Sequence, residues 1–442
     1  MTTKNPSGFV PALKSQPWLV SAIFGAALLS LVFRGQRTLG FALQGWLWAL
    51  ILAASLLVLA QRLDKVTFPW KLWAPWMLWI VVYAFSGYPR AFQATAQILC
   101  PVFAGIAVST MAVRPETLDL IVGFMRAAFK GFLAIFLVFV LPWTLRDIDN
   151  SGFPAGAIHA LFYQAFFLCA FLLGHDRRRN LLMYLAALAV PAISANRGPM
   201  LASFGLVLAT VAPLPLKKRL IIVVSGLAGG VALFYTPKVQ HKMFFSGKGD
   251  LWDLRMDNPD FNTSGRKLTW DLMEAGIREK PWLGHGAKAE SILLTSRGFA
   301  DQPHNDWLRI RYNYGNLGAA LFAATLLVQM WMLYRRSKTA SPVGRLMFCC
   351  AATGFVPFMI IMNTDNALIY CQYFPVPLFV LMGMAYAAAG QERSAWNGAT
   401  KRRLWLRRVP NQSVHVPEGA QRARARQVVV RATAFGISTN CS

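Results

Sequence analysis

Long apolar runs, about twelve of them, alternate with short polar turns, and this leaves the chain one kind of architecture. The runs fall at about 17–33, 40–60, 70–87, 92–112, 121–142, 157–174, 180–195, 198–214, 219–235, 315–334, 345–363 and 374–390. Crossing the hydrocarbon core of a bilayer takes ~20 predominantly apolar residues, and a backbone in lipid must satisfy its own polar groups. The expectation is an all-α polytopic membrane protein of about twelve transmembrane helices, with both termini on one side. Only 14% of the 442 residues are charged, where a soluble domain carries about a quarter.

The loops orient the spans. Arg62 and Lys65, Arg177-Arg178-Arg179, Lys217-Lys218-Arg219, Arg335-Arg336 with Lys338, and the Lys401-Arg402-Arg403 tail all fall on one side if the N-terminus is inside. The opposite turns, around Tyr88, Asp147 and Asn363, are nearly free of such clusters. Basic residues accumulate on the cytoplasmic side, so both termini are expected inside. The net charge of +26 is then topological rather than a nucleic-acid patch, and the basic tail is placed against anionic membrane lipids. Lys4 and Lys14 precede the first run with no small-residue cleavage site, as in a retained first span. Of six cysteines, Cys100, Cys169, Cys349 and Cys350 lie in apolar runs; Cys371 and Cys441 are poor partners. Neither a disulfide framework nor a metal site follows from their spacing. No internal repeat of the transporter kind is visible.

The expected division is therefore 1–235 as transmembrane helices one to nine, 236–314 as a large outer loop, 315–390 as helices ten to twelve, and 391–442 as a disordered cytoplasmic tail. The outer loop carries the chemistry. Ser264 or Thr263 is placed to cap a helix from Arg266 to about Ile277, with Leu268, Leu272 and Ala275 on one face. Asp301 is placed to cap a second helix through Pro303, running past His304 to Gly315. Between them Pro281–Gly286 reads as a turn-rich connector.

Arg197, in Asn196-Arg197-Gly198, is a positive charge on the side that the topological rule disfavours. A guanidinium there suits a phosphate at the membrane surface. Arg266 follows Ser264-Gly265 at a helix start, a ready anion site; Arg255, Lys267 and Arg278 lack such a setting. His304 at a helix N-terminus is kept neutral, as a general base must be, with Asn305 and Asp306 near enough to orient it. Asp147-Ile148-Asp149 resembles a metal–nucleotide motif, but nucleotide sugars are not expected outside the cytoplasm. A neutral base and two arginines at an outer surface suit a membrane-anchored diphosphate donor. Such a leaving group needs neither metal nor other cofactor.

These residues resemble a family. His304-Asn305 followed by Gly315-Asn316-Leu317-Gly318 looks like the His-Asn…Gly-x-x-Gly signature of the O-antigen ligase and polymerase superfamily. Ser264-Gly265-Arg266 with Trp270, then Pro281-Trp282-Leu283-Gly284-His285-Gly286, is similar to the upstream half of that region. Asn196-Arg197-Gly198 resembles its Ser-Arg-Gly turn, with Asn for Ser, and Trp270 stands where an apolar Leu is common. The resemblance spans roughly residues 17–390. It implies a GT-C-like, metal-independent glycosyltransferase of the bacterial inner membrane with a periplasmic active site. In that reading O-antigen moves from undecaprenyl diphosphate to the lipid A–core oligosaccharide by inverting displacement. His304 is the base, Arg197 and Arg266 bind diphosphate, and Ser264, Gly265, Asn305 and Asp306 support them. An O-antigen polymerase or a protein O-oligosaccharyltransferase is the alternative within the superfamily, and a lipid-linked oligosaccharide transporter the alternative outside it.

Overall fold

The computed structural model describes residues 17–33, 37–38, 41–142, 155–194, 196–263 and 265–408. Asp147 and Asp149, Ser264, and the tail from 409 lie outside them. The chain divides into Met1–Glu392 and Arg393–Ser442; of the second, 393–408 are described and are helical.

Helices make up nearly all of the structure, and the strands among the described residues are β1 (Arg37–Thr38) and β2 (Phe41–Ala42), an antiparallel pair. Each of the twelve apolar runs falls on a helix. The first nine are α1 (Pro17–Val32), α2 (Leu43–Arg62), α3 (Trp70–Tyr83), α4 (Ala91–Val108), α5 (Leu118–Ile135), α6 (Ala155–Leu172), α7 (Arg177–Ile193), α8 (Arg197–Ala209) and α9 (Leu216–Phe234). Three more, α10 (Pro237–Met243), α11 (Arg266–Glu279) and α12 (Ala289–Ser296), belong to the polar interruption. The chain then continues through α13 (Asp306–Ser337), α14 (Pro342–Thr364) and α15 (Pro375–Arg408).

Among the described residues six helices are long and apolar enough to cross a membrane, or seven if α9 and α10, bent by 79°, count as one span. The expected twelve is thus larger than the number that length and composition support. Part of the shortfall is physical. At 1.5 Å per residue a helix such as α8, with 13 residues, reaches only about two thirds of a ~30 Å core. The break at Ser194–Asn196 divides what a hydropathy window reads as two full spans.

α6 is buried at every position from Ala155 to Ala170. With every side covered, including the polar His159 and Gln164, it presents no face to solvent or lipid. α14 packs against α6, α8 and α13. Exposed Leu50, Leu57, Leu78, Val82, Val224, Leu227 and Leu327 lie on α2, α3, α9 and α13, as on a surface meant for lipid tails rather than water.

The polar interruption has a small core of its own. Met273 and Ile277 of α11, Ala289 and Leu294 of α12, and Leu308 and Tyr312 of α13 form one buried cluster. The face of α11 that goes inward is Thr269, Met273, Gly276 and Ile277; of the expected residues Leu272 packs partly buried against the cluster, whereas Leu268, 60% exposed, and Ala275 do not. Gly276 decides this, because only a residue without a side chain lets the Tyr312 ring lie against the helix there.

α13 is one long rod with a break at Gly315, whose φ of 71° and ψ of 176° leave the helical region. The Pro281–Gly286 connector fills that break. Asn316 N donates to Pro281 O at 2.8 Å and Leu317 N to Trp282 O at 3.3 Å; Gly286 N donates to Asn313 O at 2.9 Å. The amide groups released by the kink thus find partners in the connector. A side chain at Gly315 would overlap the Trp282 carbonyl. Tyr83 Oη and Trp79 Nε1 tie the same region to α3 through Leu283 O (2.7 Å) and Tyr314 O (3.1 Å).

Candidate functional site

The first residues of α8 and α11 and the turn that precedes α13 converge on the last residue of α14 and the two that follow it. Arg266 opens α11. Gly265 stands at the cap with φ +74° and supplies no side-chain bond, which corrects the expected Ser/Thr cap; Ser264 itself lies outside the described residues. The Arg266 guanidinium donates to Thr364 O at 2.8 Å, at the helix end where carbonyls are unsatisfied and the dipole is negative. Burial lowers its pKa and the nearby Asp365 raises it.

Arg197 opens α8. It donates to Asn262 O at 3.1 Å and Met243 Sδ at 3.4 Å, and lies 5.7 Å from the Phe261 ring centroid. Gly198 beside it abuts the Thr364 hydroxyl so closely that a Cβ would overlap it. Arg197 and Arg266 are near enough to feel each other's charge. Lys242, in α10, joins them: its ammonium is lowered to about 8, first by burial and then by Arg197, Lys238 and Arg266. Arg197 and Lys242 stand at a groove of about 430 Å³ between α8 and α9, walled by Met200, Leu201, Phe204 and Val231. Cations collected at low dielectric repel one another, so an anion among them is favoured.

His304 does not lie in the helix that follows it. Asn305 caps α13, its side chain accepting from Leu308 N at 2.9 Å, and the helix starts at Asp306. The expected cap, Asp301, instead approaches Lys288 at 3.8 Å. His304 has φ +52°, and Trp270 Nε1 holds the preceding carbonyl, Pro303 O, at 2.7 Å. The ring is thereby turned onto the segment after α14: Nδ1 is 3.2 Å from Asp365 Oδ1 and 3.1 Å from Asn366 Nδ2. Asp365 Oδ1 only accepts and favours a proton on Nδ1, whereas Asn366 Nδ2 only donates and favours a lone pair there; with the proton on Nδ1 the lone pair is at Nε2.

Asn305 and Asp306 are therefore not the groups that orient His304. Asp306 is fully buried, ion-paired with Arg309 at 2.6 Å, and accepts from Leu368 N at 2.8 Å. It braces the segment carrying Asp365. His285 has a structural place: Nε2 is 2.8 Å from Gly276 O, and the ring stacks on Tyr312. Arg255 is exposed beside Asp257, and Lys267 pairs with Asp271 at 2.6 Å.

The sequence reading passed over Lys242, Asp365 and Asn366. Lys242 had a signal, a basic residue on the outer side, masked by its neighbours in a polar loop. Asp365 and Asn366 had none, because they are 61 and 62 residues from His304 and a polar turn after a span is ordinary. Residues 181–323 match the family described as O-antigen ligase. The match takes in Arg197, Lys242, Arg266 and His304 and ends before Asp365. No curated protein matches the chain.

Proposed function

We propose, from the match of residues 181–323 to the O-antigen ligase family, that the protein is an O-antigen ligase of the bacterial inner membrane. In this reading it transfers O-antigen from undecaprenyl diphosphate to lipid A–core oligosaccharide on the periplasmic face. The observation that carries the proposal is the gathering of cations and base at one helix end, with Arg266 on Thr364 and His304 on the adjacent Asp365.

The diphosphate lies between Arg197, Arg266 and Lys242, and the polyprenyl chain runs from them into the apolar groove between α8 and α9. The acceptor hydroxyl oxygen attacks the anomeric carbon on the face opposite the diphosphate. His304 Nε2 takes the hydroxyl proton as the new C–O bond forms, and Asp365 stabilises the imidazolium through Nδ1–H. The bond from the anomeric carbon to the diphosphate oxygen breaks, and its charge is met by the guanidinium forks, whose planar donors match phosphate. The carbon is inverted, and undecaprenyl diphosphate leaves.

The test is the lipopolysaccharide of a deletion strain. Loss of the O-antigen ladder while undecaprenyl-linked polymer accumulates is the expected result. A single repeat unit remaining on the core would make the protein a polymerase, and an unchanged ladder would remove it from the pathway.

A further inference from the structure

A second, polar cavity shares no lining residue with the groove at Arg197 and Lys242. It measures about 120 Å³, and its polar lining comes from Arg90, Gln93 and Gln97 at the start of α4, Lys288, Gln302 and Arg309, with Asp301 at its edge and Leu368 and Ile369 as its apolar wall. Gln302 Oε1 accepts from Asn366 Nδ2 at 2.9 Å, and Asn366 touches the His304 ring. The cavity is thus two contacts from the base. Residues of one segment serve three functions. Thr364 holds Arg266, Asp365 holds His304, and Leu368 and Ile369 line the cavity.

Two features mark it as a built site. Four non-glycine residues among those described have left-handed backbone; two of them, Arg90 (φ +65°) and Lys288 (φ +71°), line this cavity, and a third, His304, lies two contacts away. Such conformations cost free energy and persist where the surroundings fix them, often at functional sites. Gln93 and Gln97 stand one turn apart on one helix face, and both reach the cavity. Paired amides donate and accept together, as vicinal sugar hydroxyls require. Arg309 is offset by Asp306 and Lys288 partly by Asp301, so the Arg90 charge is in excess.

Resting on the glycosyl-transfer reading above, the geometry points to this cavity as the acceptor subsite, recognising a saccharide unit that bears an anionic substituent, phosphate or carboxylate. Gln93 and Gln97 take the hydroxyls and Arg90 with Lys288 the anion.

The experiment titrates full-length protein in nanodiscs with core oligosaccharide freed of lipid A, and with the same oligosaccharide after phosphatase treatment. Arg90→Gln and Lys288→Gln should each weaken binding roughly ten-fold, as for a lost charge-assisted hydrogen bond. Phosphatase treatment should weaken wild type similarly and the variants no further. Arg90→Lys and Lys288→Arg should recover most of the affinity, separating lost charge from lost folding. Undecaprenyl diphosphate binding should be unchanged throughout. If the Gln variants bind the oligosaccharide as wild type does and keep its KM in transfer, the subsite assignment falls while the ligase reading stands. If binding depends on these residues but no transfer occurs, the subsite stands and the ligase reading falls. If phosphatidylglycerol binds in place of the oligosaccharide, the cavity is a lipid-headgroup site and the inference is overturned.

Discussion

Lys242 sets a pH dependence that the arginines cannot. With its ammonium lowered to about 8 by burial and by Arg197, Lys238 and Arg266, it is charged below that pH and neutral above. Anionic diphosphate binds the charged form, so kcat/KM should fall as pH rises through about 8. Bound diphosphate favours the ammonium, so the same limb in kcat should move to higher pH. Lys242→Arg should abolish the limb in kcat/KM; a limb that persists assigns the ionisation elsewhere. For the guanidiniums, Arg266→Lys and Arg197→Lys keep charge and lose the planar fork. Each is expected to cost about 2–4 kcal/mol of transition-state stabilisation, while exposed Arg255→Lys stays near wild type; steady-state kinetics of the three variants decide this. His304→Gln cannot take a proton, and Asp365→Asn offers the imidazole a donor as readily as an acceptor. Both should slow transfer by roughly 10²–10⁴-fold with little change in donor binding. Substantial transfer by His304→Gln would leave the histidine as a positioner.

At the scale of elements, α13 is held by the lock between the Pro281–Gly286 connector and its kink. Gly315 and Gly265 both have positive φ, of 71° and 74°, but their surroundings differ. A Cβ at Gly315 meets the Trp282 backbone, whereas one at Gly265 meets nothing within 4 Å. Gly265→Ala should therefore cost about 1–2 kcal/mol, the conformational penalty alone. Gly315→Ala should exceed it, because the connector must also withdraw and leave the amides of Asn316 and Leu317 without partners. Thermal unfolding midpoints of the two variants should rank in that order, and equal midpoints would dissolve the lock.

At the scale of the whole molecule, the site requires the polar interruption to face the periplasm. By the positive-inside rule, the basic clusters at Arg177–Arg179, Lys217–Arg219 and Arg335–Lys338 are expected on the inner side. In intact spheroplasts a membrane-impermeant thiol reagent should label a cysteine introduced near Gly286 and spare one near Ser337. The opposite pattern would put the cations and His304 on the cytoplasmic side, where the proposed donor is not presented.

Some of this was legible in the chain because it depends on neighbours along it. Apolar runs placed all twelve principal helices, because burial of a helix in an apolar medium is recorded in its own composition. Arg197, Arg266 and His304 stood out because each sits at a local break in such a pattern. What depends on residues far apart was not legible. Asp365 and Asn366 orient His304 only because α14 ends beside the turn that Trp270 holds. Lys242 joins the arginines only because α10 bends back from α9. Gly276, rather than hydrophobicity, selects the buried face of α11, since a ring from α13 needs the space. Which spans are full and which are short was likewise decided by tertiary structure. Hydropathy measures how much apolar surface a segment has, whereas packing fixes where its helix starts, breaks and turns.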